Sequence, residues 1–282
     1  MKHLTLKAIA SLAVFAFGIA ASDIASAHSS HAEARYIANE GVLISQGHTK
    51  IMFDPLPLSG FGTYSEVPES TQQQIMAGEG PYKGVDAVFI SHAHTDHFAA
   101  NKTIAYMQAH RKVRLIAPGQ ALEKMQEHED WDPKLLKRIT AINLEAGDAP
   151  QLIKLKNIHA TAVRIPHAGW PAPARAAVQN IVFRVTLDKK ATVMHMGDAD
   201  PNPVHYKPHA EHWDSKRTDT AFPPYWFFLS ENGQAILSND INADKAIGTH
   251  VPIKVPQKLK DSGADYFSVF EETRPIKKKA EE

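Results

Sequence analysis

From Arg35 onward the chain alternates short apolar, β-branched runs with polar turns. Tyr36–Ile37, Gly41–Ser45 and Lys50–Phe53 come first, the last of them closed by Asp54-Pro55. Val85–Ile90, Val113–Ala117, Arg138–Leu144, Gln151–Leu155, Ile158–Ile165, Asn180–Leu187 and Ala191–Met196 follow. Runs of this length, bounded by Gly, Pro and Asp, predict strands and are too short for helices. Helical spacing marks two segments, Phe98 to Arg111 and Gln120 to about His128. Leu56 to Gly84 has neither period. It is rich in Pro, Gly and Ser and long for a loop, which predicts a lid or a substrate wall. With no linker and no fixed repeat, residues 35–274 read as one α/β domain of many strands and peripheral helices.

The ends read differently. Lys2 and Lys7 flank the start of an apolar run from Ala8 to Ala21, and Ala25-Ser26-Ala27 offers a small-residue cleavage site. Residues 1–27 therefore read as a secretory signal peptide, too short for a comfortable membrane span. The expectation is a periplasmic or secreted protein with no stable membrane anchor. Residues 28–34 read as a flexible leader and 275–282 as a disordered charged tail.

Composition narrows the chemistry. Lys plus Arg and Asp plus Glu both number 31, so the net charge is zero and no broad surface for nucleic acid is expected. There is no cysteine, which excludes disulfides, thiolate ligands, a cysteine nucleophile and a lipoprotein anchor. The 16 histidines are the unusual feature.

Four metal-competent side chains, His92, His94, Asp96 and His97, fall within six residues directly after the apolar run ending at Ile90. They sit where a strand gives way to a loop, a usual place for a site in a layered α/β protein. Imidazole and carboxylate are the ligands that zinc takes when thiolate is absent. His167, Asp198 and His250 share that setting, each just after an apolar run.

The order His-x-His-x-Asp-His, then a distant His, Asp and His at strand ends, resembles the metallo-β-lactamase superfamily. Asp54, closing an early strand, matches a further motif of that family. The resemblance covers about Arg35 to Arg274 and implies a four-layer αββα sandwich with a dinuclear site at its edge. By that resemblance His92, His94 and His167 hold one metal, Asp96, His97 and His250 the second, and Asp198 bridges them. Asp54 then orients a ligand histidine, and Asp96 also orients the nucleophile and takes its proton. Zinc is the first choice for the two divalent ions, with manganese or iron as substitutes.

The activity so implied is hydrolysis of an ester, lactone or phosphodiester by a metal-bound hydroxide. His94 stands where the redox branch of the family has Glu, which favours hydrolysis over electron transfer. A bridging Asp198 disfavours β-lactamase activity, because the true β-lactamases of the family lack that carboxylate. The Gly-Val-Leu-Ile…Asp-Pro start is similar to the branch of ascorbate-6-phosphate lactonase and N-acyl-phosphatidylethanolamine phospholipase D. A catalytically silent metal- or ligand-binding protein on the same fold is the competing reading.

A small-molecule or lipid-like substrate is expected. Trp170, Tyr225 and Trp226 are candidates for its pocket, and His205 for protonating a leaving group or binding phosphate. Packing is the alternative for the aromatic residues and a solvated loop for His205, His209 and His212. Oligomeric state is not legible in the sequence.

Overall fold

The computed structural model describes residues 32–276. The expected signal peptide lies outside them, as do residues 28–31 of the leader and 277–282 of the tail.

Among the described residues twelve strands form two sheets. The first seven by sequence are β1 (Ala32–Ala38), β2 (Gly41–Gln46), β3 (Thr49–Phe53), β4 (Ala87–Phe89), β5 (Arg114–Pro118), β6 (Ile139–Ile142) and β7 (Gln151–Lys154). The rest are β8 (Ile158–Arg164), β9 (Ile181–Leu187), β10 (Ala191–His195), β11 (Thr220–Phe222) and β12 (Thr273–Ile276). One sheet has the order β12-β1-β2-β3-β4-β5-β6, the other β11-β10-β9-β8-β7. The β3–β4, β4–β5 and β5–β6 pairs are parallel, whereas β1–β2, β2–β3 and β7 to β10 pair antiparallel. Ala32–Ala34 of the expected leader and Pro275–Ile276 of the expected tail are strand residues; Ala32 pairs with Ile276, Glu33 with Pro275 and Ala34 with Arg274.

Alternation within the apolar runs assigns each side chain to a layer. Val42, Ile44, Ile51, Phe53 and Phe89 face the space between the sheets, where Phe183, Val185 and Val193 meet them. Leu43, Met52 and Val88, one residue out of phase, face the other way into a second apolar layer. A strand buried on both faces reads as a continuous apolar run, which is why these segments show so little polar alternation. The second layer is covered by α1 (Glu69–Ala77), α2 (Ala100–Ala109) and α3 (Gly119–Gln126), through Ile75, Ile104, Met107, Ala121 and Met125. Behind the other sheet Val163, Val182 and Met194 pack on Tyr206, Trp213 and Phe227. The result is a four-layer αββα sandwich in a single domain.

Helix α1 lies inside the segment read as irregular. Only Thr71 and Ile75 of its residues are buried, so it carries almost no apolar period. Its signals are local: Pro68 before it, Glu69 in its first turn, and Gly78 after it at φ +66°. No helix among the described residues is long and apolar enough to cross a membrane.

Candidate metal centre

The loops that follow β4, β8 and β10 meet at one edge of the sandwich, together with the segment carrying His250. Ser91–His97 leaves β4 and wraps over the gap between the sheets. The sheets are tied there by Ile181 N–H donating to the Ser91 carbonyl at 2.9 Å. Asn180, just before β9, braces three strand ends. Its amide nitrogen donates to the carbonyls of Ile165 and Met196, each at 3.2 Å, and its oxygen accepts from Asp198 N–H at 2.9 Å. Gly197 permits this approach. It sits at φ +52°, and a Cβ there would lie 2.5 Å from Asn180 Oδ1 and 2.6 Å from Ser91 Cβ.

All seven residues proposed as ligands from the sequence converge, and all but half-buried His94 are buried. Asp198 organises them. Its Oδ2 is 3.1 Å from His167 Nε2 and 3.9 Å from His92 Nε2, and His92 Nε2 is 3.0 Å from His94 Nδ1. Its Oδ1 is 3.3 Å from His97 Nε2 and 3.2 Å from His250 Nε2. Asp96 Oδ2 lies 3.2 Å from the same His250 nitrogen and 3.7 Å from that of His97. Two ligand groups result, His92–His94–His167–Asp198 and Asp96–His97–His250, with one Asp198 oxygen turned to each.

Outer hydrogen bonds fix which nitrogen each imidazole turns inward. Asp54 Oδ2 accepts from His97 Nδ1 at 2.9 Å and from Ser91 Oγ, while its Oδ1 accepts from Ser91 N–H at 2.7 Å. His167 Nδ1 donates to the Ala168 carbonyl at 2.7 Å. Both rings therefore present Nε2 to the centre, the arrangement that outer partners impose on metal-binding histidines. Glu40, Asp54 and His97 also approach one another, but Asp54 Oδ2 is already engaged by Ser91 and His97.

The charges in the cluster are opposed. Burial, then the neighbouring His97 ring, holds His92 well below the ordinary histidine range. Burial, then His167, lowers His94 to about 4, so both offer lone pairs at neutral pH. For His97 and His250 burial acts the same way but is outweighed, chiefly by Asp198, and both are raised.

Does this arrangement fit a metal? His97 Nε2, His167 Nε2, His250 Nε2 and Asp198 Oδ1 are buried and have no hydrogen-bond partner. Four such atoms, drawn from both ligand groups, carry a heavy desolvation cost if nothing joins them. A cation held by these groups would satisfy such atoms, and the imidazole–carboxylate set suits zinc, manganese or iron. The residues fit.

The ligands floor a cavity of about 480 Å³, walled by Phe61, Tyr64 and Trp226 and bordered by Lys124 and Arg175. The Tyr64 ring meets His250 edge-on at 4.0 Å, and Trp226 Nε1 donates to the Ala199 carbonyl at 3.2 Å. Thus the irregular segment does supply a wall, through Phe61 and Tyr64.

Of the four residues suggested for the pocket, only Trp226 lines this cavity. Trp170 turns aside to stack edge-on against His205 at 4.8 Å, and His205 Nε2 is drawn to Asp200 at 3.6 Å. Tyr225 packs edge-on against Trp226. His212 hydrogen-bonds Thr161 Oγ1 at 3.2 Å, and His209 is buried beside Trp213.

The sequence reading missed Glu40, Asn39 and His195, which underlie the site. The Asn39 carbonyl accepts from His250 N–H at 3.1 Å, and its side-chain amide donates to the Asp96 carbonyl at 3.0 Å. Glu40 Oε1 accepts from Thr249 Oγ1 at 3.0 Å. An Asn-Glu-Gly turn between two strands was the signal, and it reads as an ordinary hairpin turn.

The comparisons with known proteins agree with this geometry. Residues 49–251 match the family model described as "Beta-lactamase superfamily domain", and the chain belongs to that family. Its fold is that of the metallo-β-lactamases. It superimposes on the metallo-β-lactamase fold protein YhfI of Bacillus subtilis with a TM-score of 0.56 at 15% identity, covering 87% of this chain and 99% of that one. An isothiocyanate hydrolase from Delia radicum gut bacteria gives 0.55 at 13%, covering 86% and 98%. A variant of CmlA β-hydroxylase gives 0.52 at 12%, covering 87% of this chain and 54% of that one. Such identities establish the fold and nothing finer. No curated protein matches the sequence.

Proposed function

We propose that the protein is a dinuclear metallohydrolase that cleaves an ester, lactone or phosphodiester bond in a small molecule. The observation that carries this reading is the division of Asp198. Its two oxygens face two separate ligand groups, at 3.1 Å to His167 and 3.2 Å to His250.

His92, His94 and His167 would hold one ion, Asp96, His97 and His250 the other, and Asp198 both. Bound there, divalent ions supply Lewis acidity, lowering the pKa of water to about 7 and polarising a substrate oxygen. The chain does the positioning. Asp54 and the Ala168 carbonyl keep His97 and His167 in the ligating tautomer. Asp96 is held ionised by His250 and His97 against the opposing effect of burial, and its carboxylate accepts a proton from the attacking water. Tyr64 and Trp226 exclude bulk water from one side of the cavity. A cavity of about 480 Å³ suits a small molecule or one end of a lipid rather than a folded polymer. His94, at the position where the redox branch of the family has Glu, supports hydrolysis over electron transfer. We also propose that residues 1–27 direct export and that the enzyme acts outside the cytoplasm.

The test is turnover by the mature protein loaded with zinc, manganese or iron, against bis(p-nitrophenyl) phosphate, a lactone panel and nitrocefin. The proposal expects phosphodiester or lactone turnover that disappears in His94→Ala, with nitrocefin left intact. Metal-loaded protein that turns over none of them points instead to a binding protein.

A further inference from the structure

Two cations border the cavity without a carboxylate to neutralise them. Arg175 lies on the short helix α4 (Pro173–Ala176), in the loop that follows His167. Its side-chain stem lies over Gly169, where φ is +91° and a Cβ would stand 3.2 Å from Arg175 Cγ. Gly169 is itself held by its N–H donating to Asp200 Oδ2 at 3.2 Å. Lys124 reaches in from α3, and its Nζ donates to the carbonyl of Ala93, inside the ligand loop. Among the described residues neither cation forms an ion pair; Arg114, Arg138 and Arg184 also meet no carboxylate, but those bond backbone carbonyls and do not line this cavity. Among the described residues the only acids lining the cavity are Asp96 and Asp198, and both face ligand histidines.

Resting on the hydrolase reading, we propose that Arg175 and Lys124 form an oxyanion subsite that holds a carboxylate or phosphate group of the substrate. The scissile bond then lies over the ligand cluster, and the uncharged body of the substrate lies against Phe61, Tyr64 and Trp226. An unpaired guanidinium and ammonium beside such a site attract an oxyanion and orient it, and the guanidinium can do so bidentately. The substrate class is thus a small anionic ester, lactone or phosphodiester with an apolar portion.

Two measurements test this. In the first, mono-p-nitrophenyl glutarate and p-nitrophenyl butyrate, which differ by a terminal carboxylate, are compared in the zinc-loaded enzyme. The ratio of kcat/KM for the anionic over the neutral ester falls about tenfold in Arg175→Gln and recovers in Arg175→Lys. An unchanged ratio overturns the subsite. In the second, glutarate and inorganic phosphate are titrated calorimetrically into zinc-loaded wild type and into the Arg175→Gln/Lys124→Gln double variant, whose metal content is checked first. The subsite predicts binding at least about tenfold weaker in the double variant, and the tighter of the two anions names the group. Equal affinities, or binding of neither anion, contradict it. If the wild type turns over neither ester, the binding measurement still decides the subsite, so its failure and that of the hydrolase reading are separable.

Discussion

Glu40 Oε2 lies 3.0 Å from His195 Nε2, and both side chains are completely excluded from solvent. The His195 N–H donates to Glu40's own carbonyl at 3.0 Å, so Oε2 lies against the same ring nitrogen without a hydrogen bond of its own. Glu40 spends its other oxygen on Thr249, the residue before His250. Glu40 thus links His195 to the segment that carries His250, a candidate metal ligand.

This pair makes stability depend on pH in a defined sense. Burial opposes the charged imidazole, but Glu40 outweighs it and raises His195 above its ordinary value. A raised folded pKa gives stabilisation that is complete below the unfolded value of about 6.5 and lost as pH rises through the folded one. Glu40→Gln therefore costs on the order of 3 kcal/mol near the acid end of the native range and progressively less toward alkaline pH. Urea denaturation of both proteins across that range checks it. A penalty independent of pH would show that His195 is not charged.

Asp54 accepts three hydrogen bonds, two from Ser91 and one from His97. Asparagine can accept at only one of its two positions, so Asp54→Asn frees the His97 ring to turn. Zinc affinity at the Asp96–His97–His250 group should drop by about ten- to a hundredfold, with the other group less affected. Competition titration against a chelating dye separates the two.

Gly197→Ala tests the close approach beneath Asp198. Both the left-handed backbone and the contacts of 2.5 and 2.6 Å oppose any side chain there. The variant should lose at least about 2 kcal/mol of stability and bind metal more weakly, because Asp198 N–H is pulled from Asn180. Stability equal to that of the wild type would mean that the loop yields freely.

Zinc uptake should release protons. In the metal-free protein Asp198 keeps His97 and His250 protonated beyond their ordinary range, against the effect of burial. Ligation requires their lone pairs, so loading near pH 7 expels up to about two protons per chain. Calorimetry in buffers of differing ionisation enthalpy measures that number, which should grow as pH falls. Heats identical in all buffers would contradict the assignment.

What the sequence disclosed follows from how local each signal is. His92 to His97 announced themselves because four ligands crowd into one strand-end loop. The strands were legible because layers buried on both faces leave continuous apolar runs. Glu40 and His195 are 155 residues apart. Nothing in a hairpin turn or in the run Ala191–Met196 signals that they meet. Arg175 lay in a Pro- and Ala-rich loop with no period, and its significance comes from the cavity it borders. Trp170 and Tyr225 had the composition of pocket walls, yet Trp170 packs against His205 and Tyr225 against Trp226, and neither lines the cavity. The division of the seven candidate ligands between two metals came from family resemblance, and the structure adds the geometry of Asp198 between the two groups.

The measurement that tests the account most directly is the metal content of metal-replete protein, determined by mass spectrometry for wild type and Asp198→Ala. Two equivalents per chain in the wild type, falling to one or fewer in the variant, is the predicted result. Fewer than one equivalent in the wild type, or two retained without Asp198, would contradict a centre built around that carboxylate.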